Sequence, residues 1–213
     1  MSATIIVIAK SPVPGRVKTR LCPPCTHEEA AQLAAAALGD TLSAVARTPA
    51  TARVLALDGP PGPWIPDGFV IVPQFGRGLD DRLAHAFAAV TGAALLIGMD
   101  TPQVTAERLV DAMDTLAGPD ADAVLGRATD GGWWAIGLGH ADAAVFGGVA
   151  MSTDHTGADQ LDRLHALGYR TRLLDELQDV DTFADALDVA DLVPSSRFAA
   201  AVHTLDRAAT TPR

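Results

Sequence analysis

The chain alternates short apolar runs with longer segments of helical period. "TIIVIAK" (4–10) and "AALLIGMD" (93–100) are continuous runs of aliphatic and β-branched residues, the pattern of strands buried on both faces. "ARVLALD" (52–58) and "FVIVPQ" (69–74) predict two more strands, and "YRTRLLDEL" (169–177) a short one. "THEEAAQLAAAALGDTLSAVA" (26–46) predicts a helix opened by a capping box of Thr26 and Glu29. "LDDRLAHAFAAV" (79–90) predicts a helix with Leu79, Leu83, Ala86, Phe87 and Val90 on one side. Further helices are predicted at "TAERLVDAMDTLA", ending near Gly118, and at "GADQLDRLHALG", stopped by Gly168. "DTFADALDVADLV" and "SSRFAAAVHTLDRAA" predict two closing helices, before a fraying tail "TTPR". "DAVLGRATDGGWWAIGL" predicts two strands around Asp130-Gly131-Gly132, whose glycines allow positive φ. Strict alternation there puts Trp133 and Trp134 on opposite faces, so at least one is core.

Strands alternating with helices predict an α/β fold, a mostly parallel sheet covered on both faces in three α/β/α layers. No repeat, low-complexity stretch or long linker interrupts the pattern, and 213 residues fit a single domain, 1–213. In such sheets ligands bind beyond the carboxyl ends of the strands. The polar motifs fall at those ends: a basic loop after the first strand, Gln74 to Gly78 after the third, and Asp100 at the tip of the fourth.

Charge sharpens this picture. The net charge is −10, with 26 acidic against 16 basic residues, which argues against nucleic-acid binding. A basic cluster inside an acidic protein points instead to a small anionic ligand. The N-terminal apolar run is too short for a signal peptide and nothing approaches the ~20 residues of a membrane span, so a soluble cytoplasmic protein without membrane insertion is expected. Cys22 and Cys25 in "CPPC" have redox or half-zinc spacing. With no second ligand pair, loop geometry set by Pro23 and Pro24 is the favoured reading.

The candidate chemistry starts in "AKSPVPGRVKTRL". Pro12, Pro14 and Gly15 shape a tight connection, and Gly15 lets backbone approach a ligand closely. Lys10, Arg16, Lys18 and Arg20 then offer charge to phosphate oxygens, Arg20 in bidentate geometry. The Walker spacing is absent. In "GMDTP", Asp100 suits Mg²⁺ or Mn²⁺, which share oxygen ligands with phosphates; helix capping by Asp100 or Thr101 is the competing role. Asp181 in "DVDTFADAL" is a second candidate metal carboxylate, again against capping. "MSTDHTG" supplies Ser152, Thr153, Asp154 and His155 as general acid/base candidates, and Asp130 marks the turn before the tryptophans.

Read together, "AKSPVPGRVKTRL", "GMDTP", "DGGWWAIGL", "MSTD" and "DVDT" closely resemble, in order and over nearly the whole chain, the bacterial DUF2064 family, which is glycosyltransferase-like and part of the nucleotide-diphospho-sugar transferase superfamily. The resemblance implies a GT-A fold, with a nucleotide-binding half (about 1–100) and an acceptor half (about 101–213). It implies that the first loop wraps the phosphates through Lys18 and Arg20, and that Asp100 and Asp181 match the metal carboxylates. The family segment after the third strand usually reads Gln-Gly-x-Gly-Asp-Leu-Gly; here it is "QFGRGLD", so Gln74 and Gly76 match while Phe75, Gly78 and Asp80 depart. The implied function is metal-dependent glycosyl transfer from a nucleotide-diphosphate sugar to a small-molecule acceptor, with Asp154 or Asp130 deprotonating the acceptor hydroxyl. Two alternatives stand beside it. One is nucleotidyl transfer from a nucleoside triphosphate to a phosphorylated acceptor, as in phospholactate guanylyltransferases. The other is a non-catalytic nucleotide-binding protein.

Overall fold

Seven strands form one sheet in the computed structural model, which describes residues 3–210. They are β1 (Thr4–Lys10), β2 (Ala52–Asp58), β3 (Val70–Pro73), β4 (Ala94–Ile97), β5 (Ala123–Ala128), β6 (Trp133–Leu138) and β7 (Thr171–Leu177), ordered β3-β2-β1-β4-β6-β5-β7. Each pairing is parallel except those of β6, which runs antiparallel to β4 and β5. The chain steps outward from β1 to β2 and β3, then returns to the other side of β1 with β4. That reversal opens a crevice at the carboxyl ends of β1 and β4, the natural ligand position in an open α/β sheet.

The helices are α1 (His27–Arg47), α2 (Leu79–Ala88), α3 (Ala106–Ala117), α4 (Thr156–Ala166), α5 (Phe183–Leu192) and α6 (Arg197–Thr210). The Thr26–Glu29 capping box forms: Thr26 Oγ1 accepts from Glu29 N at 3.2 Å, and Glu29 Oε2 accepts from Thr26 N at 2.7 Å. One sheet face packs Ile5, Val7, Leu95 and Ile97 against Leu38 and Leu42 of α1 and Leu109 and Met113 of α3. The other packs Ile6, Leu96, Leu125 and Ile136 against Leu83 and Phe87 of α2 and Leu164 of α4. A third cluster joins α1 to α5 and α6 through Leu33, Ala37, Val189, Phe198 and Val202. The layers are therefore α/β/α. Among the described residues no helix is long and apolar enough to cross a membrane.

Several expectations change in detail. The third predicted strand, 69–74, forms as the shorter β3, Val70–Pro73, and lies at the sheet edge with Val70 and Ile71 exposed. Leu79, expected on the buried side of α2, is 42 % exposed because it occupies the first turn, beyond the sheet. Two one-turn 3-10 helices, Thr19–Leu21 and Ala143–Phe146, were not predicted, since three or four residues carry no readable period. Trp134 is core at 2 % exposure, while Trp133 packs against the opposite face. Cys25 is buried in the third cluster, and burial pushes its thiol up to about 11, away from the range of a reactive thiolate. The tail residues 211–213 lie outside the described residues.

At the far end of β5 and β7, Arg170 forks onto Asp122: Nε donates to Oδ2 and Nη2 to Oδ1, both at 2.8 Å. These hydrogen bonds hold the Asp122 carboxyl down at about 2, below the usual value of 3.8. Between those values the unfolded chain binds the proton and the folded chain does not, so stability rises with pH. The contribution is complete above about pH 4 and is lost as pH falls through 2. Urea midpoints at pH 6, 4 and 2 should show Asp122→Asn less stable than wild type at pH 6, with the gap closing by pH 2; a constant gap would exclude this origin.

Candidate functional site

The site starts from an unusual backbone. Lys18 has φ 48°, ψ 37°, a left-handed conformation that a residue with a Cβ seldom holds without compensation. It opens the Thr19–Leu21 turn and sends its side chain inward, where only 9 % stays exposed. The ammonium meets Asp100 Oδ1 at 2.6 Å and Asp181 Oδ1 at 3.9 Å, and donates to the carbonyl of Val180. Arg20, more exposed, donates from Nη1 to Asp181 Oδ2 at 2.5 Å. Residues from the first loop, the tip of β4 and the segment before α5 thus meet at one point. One backbone bond and one side-chain bond hold them there: Val180 N donates to Asp100 O at 3.0 Å, and the Gln103 amide Nε2 to Gln178 O at 2.7 Å.

The capping alternatives do not occupy these carboxylates. Thr105 caps α3, accepting from Arg108 N, and Thr182 caps α5 in a reciprocal box with Asp185. Asp100 and Asp181 are left to face the cations.

A cavity of about 910 Å³ opens over this junction. Its wall includes Lys10, Arg16, Lys18, Arg20, Gln74, Asp100, Asp130, Asp154 and Asp181 from the sequence candidates. Pro14, Gly15 and Gly76 are not part of that wall. Gly15 has φ +73° and Gly76 φ +129°, and a Cβ on Gly76 would lie 2.5 Å from Asp81 Cβ, so these glycines bend loops rather than meet the cavity. Gln74 reaches the wall, but its amide is already used: Nε2 donates to Ala9 O at 2.8 Å and Ala56 O at 2.9 Å. Its Oε1 accepts from Arg82 Nη1, which also bonds Asp58 Oδ2 at 2.8 Å. Gln74 therefore ties β3 to the ends of β1 and β2. Phe75 is 61 % exposed and lies off the cavity wall. His155 turns to Asp159 Oδ2 at 2.7 Å and is likewise off the wall.

Asp179 was absent from the sequence candidates. It lines the cavity two residues from Asp181, and burial first, then repulsion from Asp100 and Asp130, pushes its carboxyl up to about 7. Its Oδ1 is buried without a partner. The "DVD" repeat was its one visible signal, because alternation in an extended segment sends residues two apart to the same side. Thr101 Oγ1 and Trp133 Nε1, on the same wall, are also buried and unpartnered.

The oxygen-only donor set of Asp100 and Asp181 fits a hard divalent cation, and the Lys18 ammonium already marks a cation position between them. Among the described residues no three His, Cys, Asp or Glu side chains form a closed cage. A cation here would complete its shell with water and ligand oxygens, the usual arrangement for Mg²⁺ or Mn²⁺ with phosphates.

The far wall depends on two glycines. A Cβ on Gly131 would stand 1.8 Å from Asp154 O, and one on Gly157 2.4 Å from Gly132 O. Gly157 N donates to Gly131 O at 2.8 Å. The turn carrying Asp130 and the loop carrying Asp154 therefore touch backbone to backbone. Gly131, at φ +89°, admits no side chain.

The profile of the DUF2064 family, described as an uncharacterized protein conserved in bacteria, matches residues 30–153. No curated protein matches the chain. A solved structure from Desulfovibrio desulfuricans G20, provisionally called a nucleotide-diphospho-sugar transferase, is 25 % identical with TM-score 0.86, covering 97 % of this chain and 96 % of that one. Rv0371C from Mycobacterium tuberculosis H37Rv, solved in complex with manganese, is 24 % identical with TM-score 0.50, covering 89 % and 98 %. CMP:2-keto-3-deoxy-manno-octonic acid synthetase, solved with CTP, is 13 % identical with TM-score 0.53, covering 91 % and 99 %. The three-layer architecture with its mixed sheet is thus GT-A-like.

Gly131→Ala should separate the two loops. Thermal unfolding should fall by several degrees, since a substitution that costs about 2–4 kcal/mol through strain and overpacking shifts a domain of this size by that much. Gly148→Ala is the control, because its φ is also positive but no atom lies within 4 Å of the added Cβ. A smaller loss for Gly131→Ala than for Gly148→Ala would refute the close-approach account.

Proposed function

The chain belongs to the DUF2064 family, and we propose that it is a transferase acting on a nucleotide-activated donor, with glycosyl transfer from a nucleotide-diphosphate sugar as the reaction. The observation that carries this reading is the meeting of Lys18 and Arg20 with Asp100 and Asp181 at the sheet's switch point. Cations from one loop and carboxylates from two others, within reach of one another, suit a ligand whose phosphates bring a metal with them.

In this reading residues 1–213 act as one GT-A-like domain. Residues up to about 100 hold the nucleotide, and those beyond hold the acceptor. Lys10, Arg16, Lys18 and Arg20 bind the diphosphate and stabilise its charge as it leaves. Asp100 and Asp181 would hold Mg²⁺ or Mn²⁺, which supplies Lewis-acid stabilisation of the same oxygens. Asp154 or Asp130 accepts the proton of the acceptor hydroxyl. The acceptor oxygen forms its bond to the anomeric carbon as the bond from that carbon to the diphosphate breaks, and the electron pair departs with the nucleoside diphosphate.

A second reading, nucleotidyl transfer with release of pyrophosphate, draws support from the number of basic side chains on the wall, six, which also suits a triphosphate. Pyrophosphate release from triphosphates with phosphorylated acceptors separates the two.

Asp100→Ala should abolish Mn²⁺-dependent binding of UDP- and GDP-sugars, a loss of at least 100-fold in affinity by isothermal titration calorimetry. Unchanged binding and turnover would refute the role. In the wild type, a true nucleotide ligand at 100 times its Kd should stabilise the fold by about 2.7 kcal/mol, seen as a raised Tm.

A further inference from the structure

We propose that the acceptor entering this cavity is a neutral or cationic polyhydroxy compound, a sugar or amino sugar without phosphate or carboxylate; the inference rests on the cavity being the transferase site described above. Its basis is the segregation of charge along the wall. The basic lining residues are Lys10, Arg16, Lys18, Arg20, Arg77 and Arg82, every one from the nucleotide half. From Asp100 onward the lining supplies Asp100, Asp130, Asp154, Asp179 and Asp181, and no Lys, Arg or His among the described residues.

Among the described residues no ion pair reaches Asp130 or Asp154. Lys18 pairs with Asp100, Arg20 with Asp181 and Arg82 with Asp58, Lys10 and Arg16 flank the crevice at the other end, beside Asp58 and Gly59, and Arg77 lies in the loop between β3 and α2. A bound nucleotide would engage them further. A divalent cation at Asp100 and Asp181 would leave Asp130 and Asp154 uncompensated. An acceptor phosphate would then face two carboxylates with no counter-charge, which is repulsion acting as specificity.

The remaining groups suit hydroxyls. Beyond Asp100 the lining also carries Ser152 and Thr153, whose hydroxyls are uncharged donors and acceptors. Trp133 and Met151, packed against the core that holds Leu83 and Phe146, add an apolar face.

The test uses glucose, glucosamine and glucose 6-phosphate as matched probes on the full chain, loaded with UDP and Mn²⁺ at low ionic strength, with affinities from ligand-observed NMR. Glucose and glucosamine should each bind at least tenfold more tightly than glucose 6-phosphate. Equal affinity for all three, a common lack of binding included, or preference for the phosphate ester overturns the inference. Asp154 is exposed, so Asp154→Lys keeps the fold and should shift the ratio of glucose 6-phosphate to glucose affinity at least tenfold toward the phosphate; an unchanged ratio also overturns it. Failure of both UDP and GDP to bind with Mn²⁺ refutes the transferase reading alone, and the Asp154→Lys ratio on the unloaded protein still measures the charge preference.

Discussion

A nearly buried ammonium must be matched by negative charge close by, and in this protein that requirement joins three distant pieces of chain. Lys18 comes from the loop after β1, Asp100 from the tip of β4 and Asp181 from the segment before α5. Removing the carboxylates would leave a nearly buried ammonium uncompensated, whereas Asp100 and Asp181, 39 % and 36 % exposed, keep access to water. The left-handed backbone at Lys18 is held in place by this match, together with the bond to Val180 O. The crevice at the strand reversal therefore has a charged floor that sheet topology brings together and electrostatics keeps together.

Much of the fold was legible because its signals are local. Strand β1 spans the residues its apolar run marks, and the Thr26–Glu29 box starts α1 where the motif lies. Where the reading slipped, the deciding factor was tertiary. "FVIVPQ" marks β3 as a strand, but not its place at the sheet edge, because strand order is invisible in a run of six residues. Leu79 has the helical period of a core residue but stands a turn too early to meet the sheet.

The site was legible to a lesser degree, and for a different reason. Clustered charge at strand ends marked residues that line the cavity. Which side chains face one another is set by partners many residues away. Gln74 shows the limit: its position after β3 invites a ligand role, while its amide is spent on two strand carbonyls. Asp179 shows the converse, since only the packing around it reveals a carboxyl that burial and two neighbours hold near neutrality.

The crossing of Gly131 and Gly157 bears on how this scaffold can diversify. Where main chain rests on main chain, neither loop can lengthen or thicken without dislodging the other. A relative that handled a different substrate through this framework would have to differ in the side chains that project from these two loops rather than in their length.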